Sequence, residues 1–159
     1  NKGHTIGLHT YTHNYSKVYA SVDAYFNDLN KVGKMVKGLI GFVPKYIRFP
    51  GGGSNMVSKK YTPGIMSVLV SEVQNRGYQY YDWNASTGDA NGNNIAVHKL
   101  VKEATSSHAH NIMILAHDTK AKSTTVQALP KIIEYYQGLG YTFKGIDDNS
   151  YAPHHKVNN

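Results

Sequence analysis

Apolar residues recur along the chain in short blocks separated by polar, glycine-bearing turns, and the blocks alternate between two periods. Thr5-Ile6-Gly7-Leu8-His9 reads as a short strand that ends at a histidine. From Val22 the period lengthens. Val22, Tyr25, Phe26, Leu29, Val32 and Val36 share one helical face, Ser21 stands at the N-cap, and Gly38 and Gly41 close the helix. Tyr46-Ile47-Arg48-Phe49 is strand-like and stops at Pro50-Gly51-Gly52-Gly53. Pro63 opens the next helix, with Ile65, Met66, Leu69, Val70 and Val73 as its buried stripe and Gly77 at its end. Gln79 to Trp83 reads as a strand, Asn84 to Asn94 as a polar loop, and Ile95 to Ser106 as a helix. Asn111 to His117 is the strongest strand pattern of the chain. A helix over 124–137 contains Pro130, which is expected to kink it. Thr142 to Ile146 is expected to form the last strand.

Strand followed by helix, repeated, implies an α/β fold with a mostly parallel sheet or a (β/α) barrel. In such folds the chemistry gathers at the carboxyl ends of the strands. His9, Arg48, Asp82 and His117 each close a strand in this reading. No repeat or linker marks a second domain, so one domain is expected over 1–150, with a tail over 151–159.

Composition narrows the function classes. A chain of 159 residues can bury a real core. No stretch approaches the roughly 20 apolar residues of a membrane span. There is no cysteine, which excludes disulfides and thiolate metal sites. The formal charge is +7, but the lysines are scattered and form no dense run, so nucleic acid is not expected as a partner and an anionic cell surface suits the charge equally well. The thirteen tyrosines suit stacking on sugar rings, although most are expected at core edges with wet hydroxyls.

His9 and His13 stand four apart. On a helix they would share a face, about 6 Å along the axis. Their nitrogens could then converge on one zinc at about 2.0–2.1 Å, with a third ligand, a carboxylate, from elsewhere. Taken alone, two unrelated polar histidines explain the pattern more often. Arg48-Phe49-Pro50-Gly51-Gly52 is either an ordinary strand with a glycine turn, or an arginine that orients a carboxylate beside backbone N–H groups open to a ligand. Asp82-Trp83 says little in isolation, and His117 after Ile114-Leu115-Ala116 could be a satisfied core histidine.

The combination is more specific than its parts. His-Thr-Tyr-Thr-His, Arg-Phe-Pro-Gly-Gly, Asp-Trp and Ile-Leu-Ala-His-Asp, in that order, resemble the polysaccharide deacetylase family (the NodB homology domain). The likeness covers nearly the whole chain and is greatest to the peptidoglycan N-acetylglucosamine deacetylase branch of Gram-positive bacteria. It implies a distorted (β/α) barrel with a groove for a cell-wall glycan, and a divalent metal, usually zinc. By resemblance, His9 and His13 hold the metal and Arg48 orients the catalytic base. The Gly51 N–H helps bind the oxyanion, Asp82 tunes the acid His117, and Trp83 and Leu115 line the pocket for the acetyl methyl group. The products would be acetate and a free amino sugar, made by a parent protein that is extracellular or associated with the cell envelope.

One family motif has no counterpart here. An Asp-Asp pair, one the base and the other the third metal ligand, precedes the histidines in the family. The chain opens abruptly at Asn1, without an initiator Met, and is therefore expected to start after that motif and to lack the first strand of the barrel. It is expected to be nearly inactive alone, its open sheet edge covered by the missing segment or by another chain. Asp147-Asp148 echoes the motif but follows the last strand, and a hydrogen-bonded terminal turn is expected there. His4, His98, His108, His110, His154 and His155 carry no expected role. Two other readings remain: a glycan-binding remnant without catalysis, and an acetyl-xylan or chitooligosaccharide deacetylase.

Overall fold

The computed structural model describes residues 2–159; Asn1, at the expected start of the domain, lies outside the described residues. The chain divides into two compact units. The first holds the residues up to Asp82 together with His154–Asn159, and the second holds Trp83–Pro153.

In the first unit a short helix α1 (Tyr15–Val18) is capped by Asn14, whose side chain accepts from the N–H groups of Ser16 and Lys17. Helix α2 (Val22–Ile40) starts where expected: the Ser21 hydroxyl accepts from the Ala24 N–H at 3.0 Å. It runs through Gly38 and ends at Gly41, whose φ of 89° only glycine adopts without strain. Its stripe of Tyr25, Phe26, Leu29 and Val32 is buried. Strand β1 (Tyr46–Ile47) is followed by α3 (Ile65–Asn75), which buries Ile65, Met66, Leu69 and Val73. Strand β2 (Gln79–Tyr80) lies parallel to β1, with Tyr46 opposite Gln79 and Ile47 opposite Tyr80. The strand expected over 5–9 reduces to a single parallel bridge between Leu8 and Ile47, made by Leu8 N–H to Tyr46 O at 2.8 Å and Arg48 N–H to Leu8 O at 3.1 Å. Leu8, Ile47 and Tyr80 thus stand on neighbouring segments and anchor one core with Val18, Tyr25, Phe49 and Leu69.

The last six residues, expected as part of a tail, pack into this unit. The His154 ring stacks on Tyr80 with centroids 3.8 Å apart, and Val157 packs against the core. The Asn159 side chain accepts from the Gly64 N–H at 2.7 Å, and its main-chain oxygen accepts from the Ser67 N–H at 2.8 Å. These two N–H groups belong to the start of α3, where backbone donors have no partner within the helix.

In the second unit β3 (Ala85–Ser86) and β4 (Ile114–Leu115) pair in parallel, flanked by α4 (Val97–Ala104) and α5 (Ser123–Gly138). Leu100, Ala104, Ala128, Ile132 and Tyr136 form its core. Two expectations change. The segment read as a polar loop contains β3 and a 3-10 turn over Asp89–Asn91. Thr142 to Ile146 forms no strand; with Ile112–Ile114 it lines a cavity of about 360 Å³. Helix α5 continues through Pro130 to Gly138. Among the described residues, no helix is long and apolar enough to cross a membrane.

Candidate active site

In the first unit, His9 follows the Leu8 bridge, and the chain then turns sharply. Thr10 and His13 have φ of 64° and 49°, the left-handed region that side chains with a Cβ rarely adopt. The segment that joins the histidines is therefore a loop and not a helix, on which a spacing of four would share a face. Its two left-handed residues, rather than a shared helix face, bring the imidazoles to a centroid separation of 4.8 Å with planes 62° apart. His9 Nδ1 lies 2.7 Å from the Arg48 carbonyl oxygen. A carbonyl can only accept, so Nδ1 carries the hydrogen and Nε2 carries the lone pair, the tautomer that suits a cation ligand. His13 stands edge-on to Tyr15. The Thr10 hydroxyl, in the same loop, is buried with no hydrogen-bond partner. Two converging imidazoles with one tautomer fixed, beside an orphaned hydroxyl, fit a borderline-soft cation such as zinc. Among the described residues no group of three or more His, Cys, Asp or Glu could hold a metal, so the pair stands without a third ligand of those types.

Arg48 follows β1. Its Nε donates to the Tyr81 carbonyl at 3.1 Å and its Nη2 to the Asp82 carbonyl at 3.5 Å. Burial pulls its pKa down, against the opposing pull of the Asp82 charge. The glycines beyond it need their freedom. Gly51 has φ of 77°, and a Cβ there would stand 2.8 Å from the Tyr15 hydroxyl. A Cβ on Gly53 would meet Asp82 Oδ2 at 2.8 Å. The turn is pinned by the buried Tyr19, whose hydroxyl donates to the Pro50 carbonyl at 2.7 Å.

Asp82 is fully buried. Its Oδ1 accepts from the Gly53 N–H at 2.7 Å and its Oδ2 from the His155 N–H at 2.8 Å. It ties the glycine turn to the C-terminal segment. The carboxylate that partners His117 is a different one. In the second unit Asp89 Oδ1 lies 2.7 Å from His117 Nδ1, while Oδ2 accepts from the His117 backbone N–H at 2.7 Å and from the Thr125 hydroxyl at 3.0 Å. The expected pairing of Asp82 with His117 is thus corrected to Asp89. Lys122 Nζ donates to the carbonyls of Asp89 and Gly92 and holds the 3-10 turn in place. Asp89 is 1 % exposed, whereas the His117 side chain keeps 39 % of its surface. One group is a buried anchor, and the other can reach a ligand.

Asp89 was hidden in the sequence because β3 was read as loop. Asp89 stands three residues after Ser86, near the carboxyl end of a parallel strand, where such folds place their chemistry. Leu115 closes β4 and is half-buried, as is Trp83 at the start of this unit. Asp147 makes a local turn, its carboxylate accepting from the Asn149 N–H at 2.9 Å and the Ser150 hydroxyl at 3.1 Å, in keeping with the expected terminal turn.

Burial pushes the Asp89 carboxyl upward, but the hydrogen bonds from His117, Thr125 and Thr87 outweigh it and hold the group below its ordinary value of 3.8. A carboxylate with a depressed folded-state pKa stabilises the fold fully above its unfolded value, and that contribution is lost as pH falls through the folded one. Urea midpoints are therefore expected to fall as pH drops below about 4, and Asp89→Asn is expected to remove part of that slope. An unchanged slope in the variant would refute the assignment.

The family model described as polysaccharide deacetylase matches residues 1–63. The catalytic domain of peptidoglycan N-acetylglucosamine deacetylase from Eubacterium rectale is 42 % identical, with a TM-score of 0.93 over 99 % of this chain and 71 % of that one. A polysaccharide deacetylase structure from Bacillus cereus is 27 % identical, with a TM-score of 0.79 over 96 % of this chain and 71 % of its own. A curated peptidoglycan-N-acetylglucosamine deacetylase of Bacillus cereus is 27 % identical over 157 residues, which are 96 % of this chain and 54 % of that protein. The chain spans about half the length of the curated relatives it matches. On the identity and coverage of the Eubacterium rectale domain, with the histidine loop and the Asp89–His117 pair in place, the chain belongs to the polysaccharide deacetylase family.

Proposed function

We propose that the protein carrying this chain removes the N-acetyl group of N-acetylglucosamine residues in a cell-wall glycan, peptidoglycan, and releases acetate. The observation that carries the proposal is the Asp89–His117 pair. A buried carboxylate grips both the ring and the backbone N–H of a histidine whose side chain is partly exposed. That is the build of a positioned proton donor rather than of a core histidine. The names of the relatives supply the substrate class.

His9 and His13 would hold a divalent cation, zinc by their donor chemistry, which when bound polarises an amide carbonyl and acidifies water. This chain's own residues are assigned the positioning and the proton donation, and none of them the base. Arg48 orients the base carboxylate, and the Gly51 N–H faces the developing oxyanion. His117 gives a proton from Nε2 to the departing nitrogen while Asp89 holds Nδ1, fixing the tautomer and the ring. Trp83 and Leu115 line the space for the acetyl methyl group. The scaffold is read as part of a distorted (β/α) barrel, and the protein as acting at the cell envelope, where such a glycan lies. We further propose that the 159-residue chain on its own is nearly inactive, because the family's acidic pair has no counterpart among its assigned residues.

The second reading is a glycan-binding remnant that keeps the groove without the chemistry. Acetate release separates the readings. N-acetylglucosamine oligomers are expected to yield acetate faster than acetyl-xylan does. Faster release from acetyl-xylan would make the protein an esterase. Glycan binding without acetate, even in a longer form with an acidic pair before the histidines, would make it a binder.

A further inference from the structure

The loop that carries His9 and His13 is gripped at its midpoint by a carboxylate from α2. Asp28 Oδ1 accepts from the backbone N–H groups of Tyr11 and Thr12, the latter at 3.1 Å, and Oδ2 accepts from the Thr12 hydroxyl at 2.7 Å. The two residues it holds lie between the two histidines. They also lie between the two left-handed positions, Thr10 and His13. A β-branched residue held in that region costs on the order of 1–3 kcal/mol and persists only where its surroundings impose it. Asp28 is well placed to impose it, because its neighbours Tyr25, Phe26 and Leu29 root α2 in the core. One turn further along α2, Lys31 Nζ sits 4.1 Å from the centroid of the Tyr11 ring, so the same helix face grips the loop a second time.

We infer that Asp28 is a positioning residue for the imidazole pair: its three hydrogen bonds hold the strained loop and thereby set the approach of His9 to His13. Its bonds go to the loop between them, and it acts through that loop. The inference rests in part on the metal reading above, and the experiment separates the two.

The ring-to-ring nuclear Overhauser contact between His9 and His13 is measured in the metal-free chain. Zinc affinity is measured by competition with a chromophoric chelator. Asp28→Ala is expected to lose the ring contact and to weaken zinc by about 10–100-fold, the usual cost of removing an outer partner of a metal ligand. Asp28→Asn keeps an oxygen for the two backbone N–H groups and is expected to retain the ring contact and bind zinc close to wild type. If Asp28→Ala keeps both the contact and the affinity and shows only a lower melting temperature, the inference is overturned. Should Asp28→Ala fail to fold, Thr12→Ala, which removes one of the three bonds, is expected to weaken both readouts in the same direction, and no change would overturn the inference equally. A wild-type chain that binds no zinc, yet loses the ring contact in Asp28→Ala, refutes the metal reading and supports the positioning role.

Discussion

Replacing His117 by alanine is expected to lower acetate release from N-acetylglucosamine oligomers by about 10²–10⁴-fold, the usual contribution of a positioned acid. An amide expels an amine, a poor leaving group until it is protonated, so the loss falls on the chemical step. An acetyl ester expels an alkoxide, which needs less help, and the same variant is expected to lose less activity on acetyl-xylan. Asp89→Asn should follow His117→Ala part of the way. The amide preserves the shape but turns an N–H either toward the His117 ring or toward the His117 backbone N–H and the Thr125 hydroxyl, all of which pair with the carboxylate. Equal losses on amide and ester, or none on the amide, would remove His117 from the role of acid.

The second large effect is on stability. Asp82→Ala is expected to cost about 3–5 kcal/mol, as expected when one member of a buried charged network is removed. The N–H groups of Gly53 and His155 would be stranded in the interior, and the half-buried Arg48 would lose a compensating charge. The C-terminal segment, tied down through His155, should become sensitive to protease at the same time. Gly53→Ala attacks the same contact from the other side, since the new Cβ would meet the carboxylate at 2.8 Å. Guanidinium unfolding reads both variants. A loss below about 1 kcal/mol for Asp82→Ala would mean that the carboxylate is not the knot described here.

Helices α2, α3 and α5 were legible because their signals are local: a capping serine at Ser21, a stripe at helical spacing, a glycine at the end. The strands were legible only as places. Their lengths depend on partners the local sequence does not name, so seven residues of strong strand pattern yield two in β4. Strand β3, built of Ala85 and Ser86 inside an Asn- and Gly-rich stretch, carries no hydrophobic alternation at all. Asp82 was chosen by the resemblance of Asp82-Trp83 to a family motif, while Asp89 lay in a stretch read as loop. The two histidines were chosen for a geometry that the loop does not have. Spacing of four suggests a helix face, whereas Thr10 and His13 in the left-handed region achieve the approach. The docking of Asn159 against the start of α3 is a long-range contact with no local signature.

The proposed hydrolysis of a sugar N-acetyl group needs the cation that His9 and His13 would hold. Acetate release from N-acetylglucosamine oligomers with zinc in excess, by the protein carrying this chain and by its His9→Ala/His13→Ala double variant, tests it most directly. Acetate is expected from the wild type and a loss of at least about a thousandfold in the double variant, several kcal/mol of barrier being asked of the cation the two imidazoles would hold. Acetate released by the double variant at the wild-type rate would contradict it.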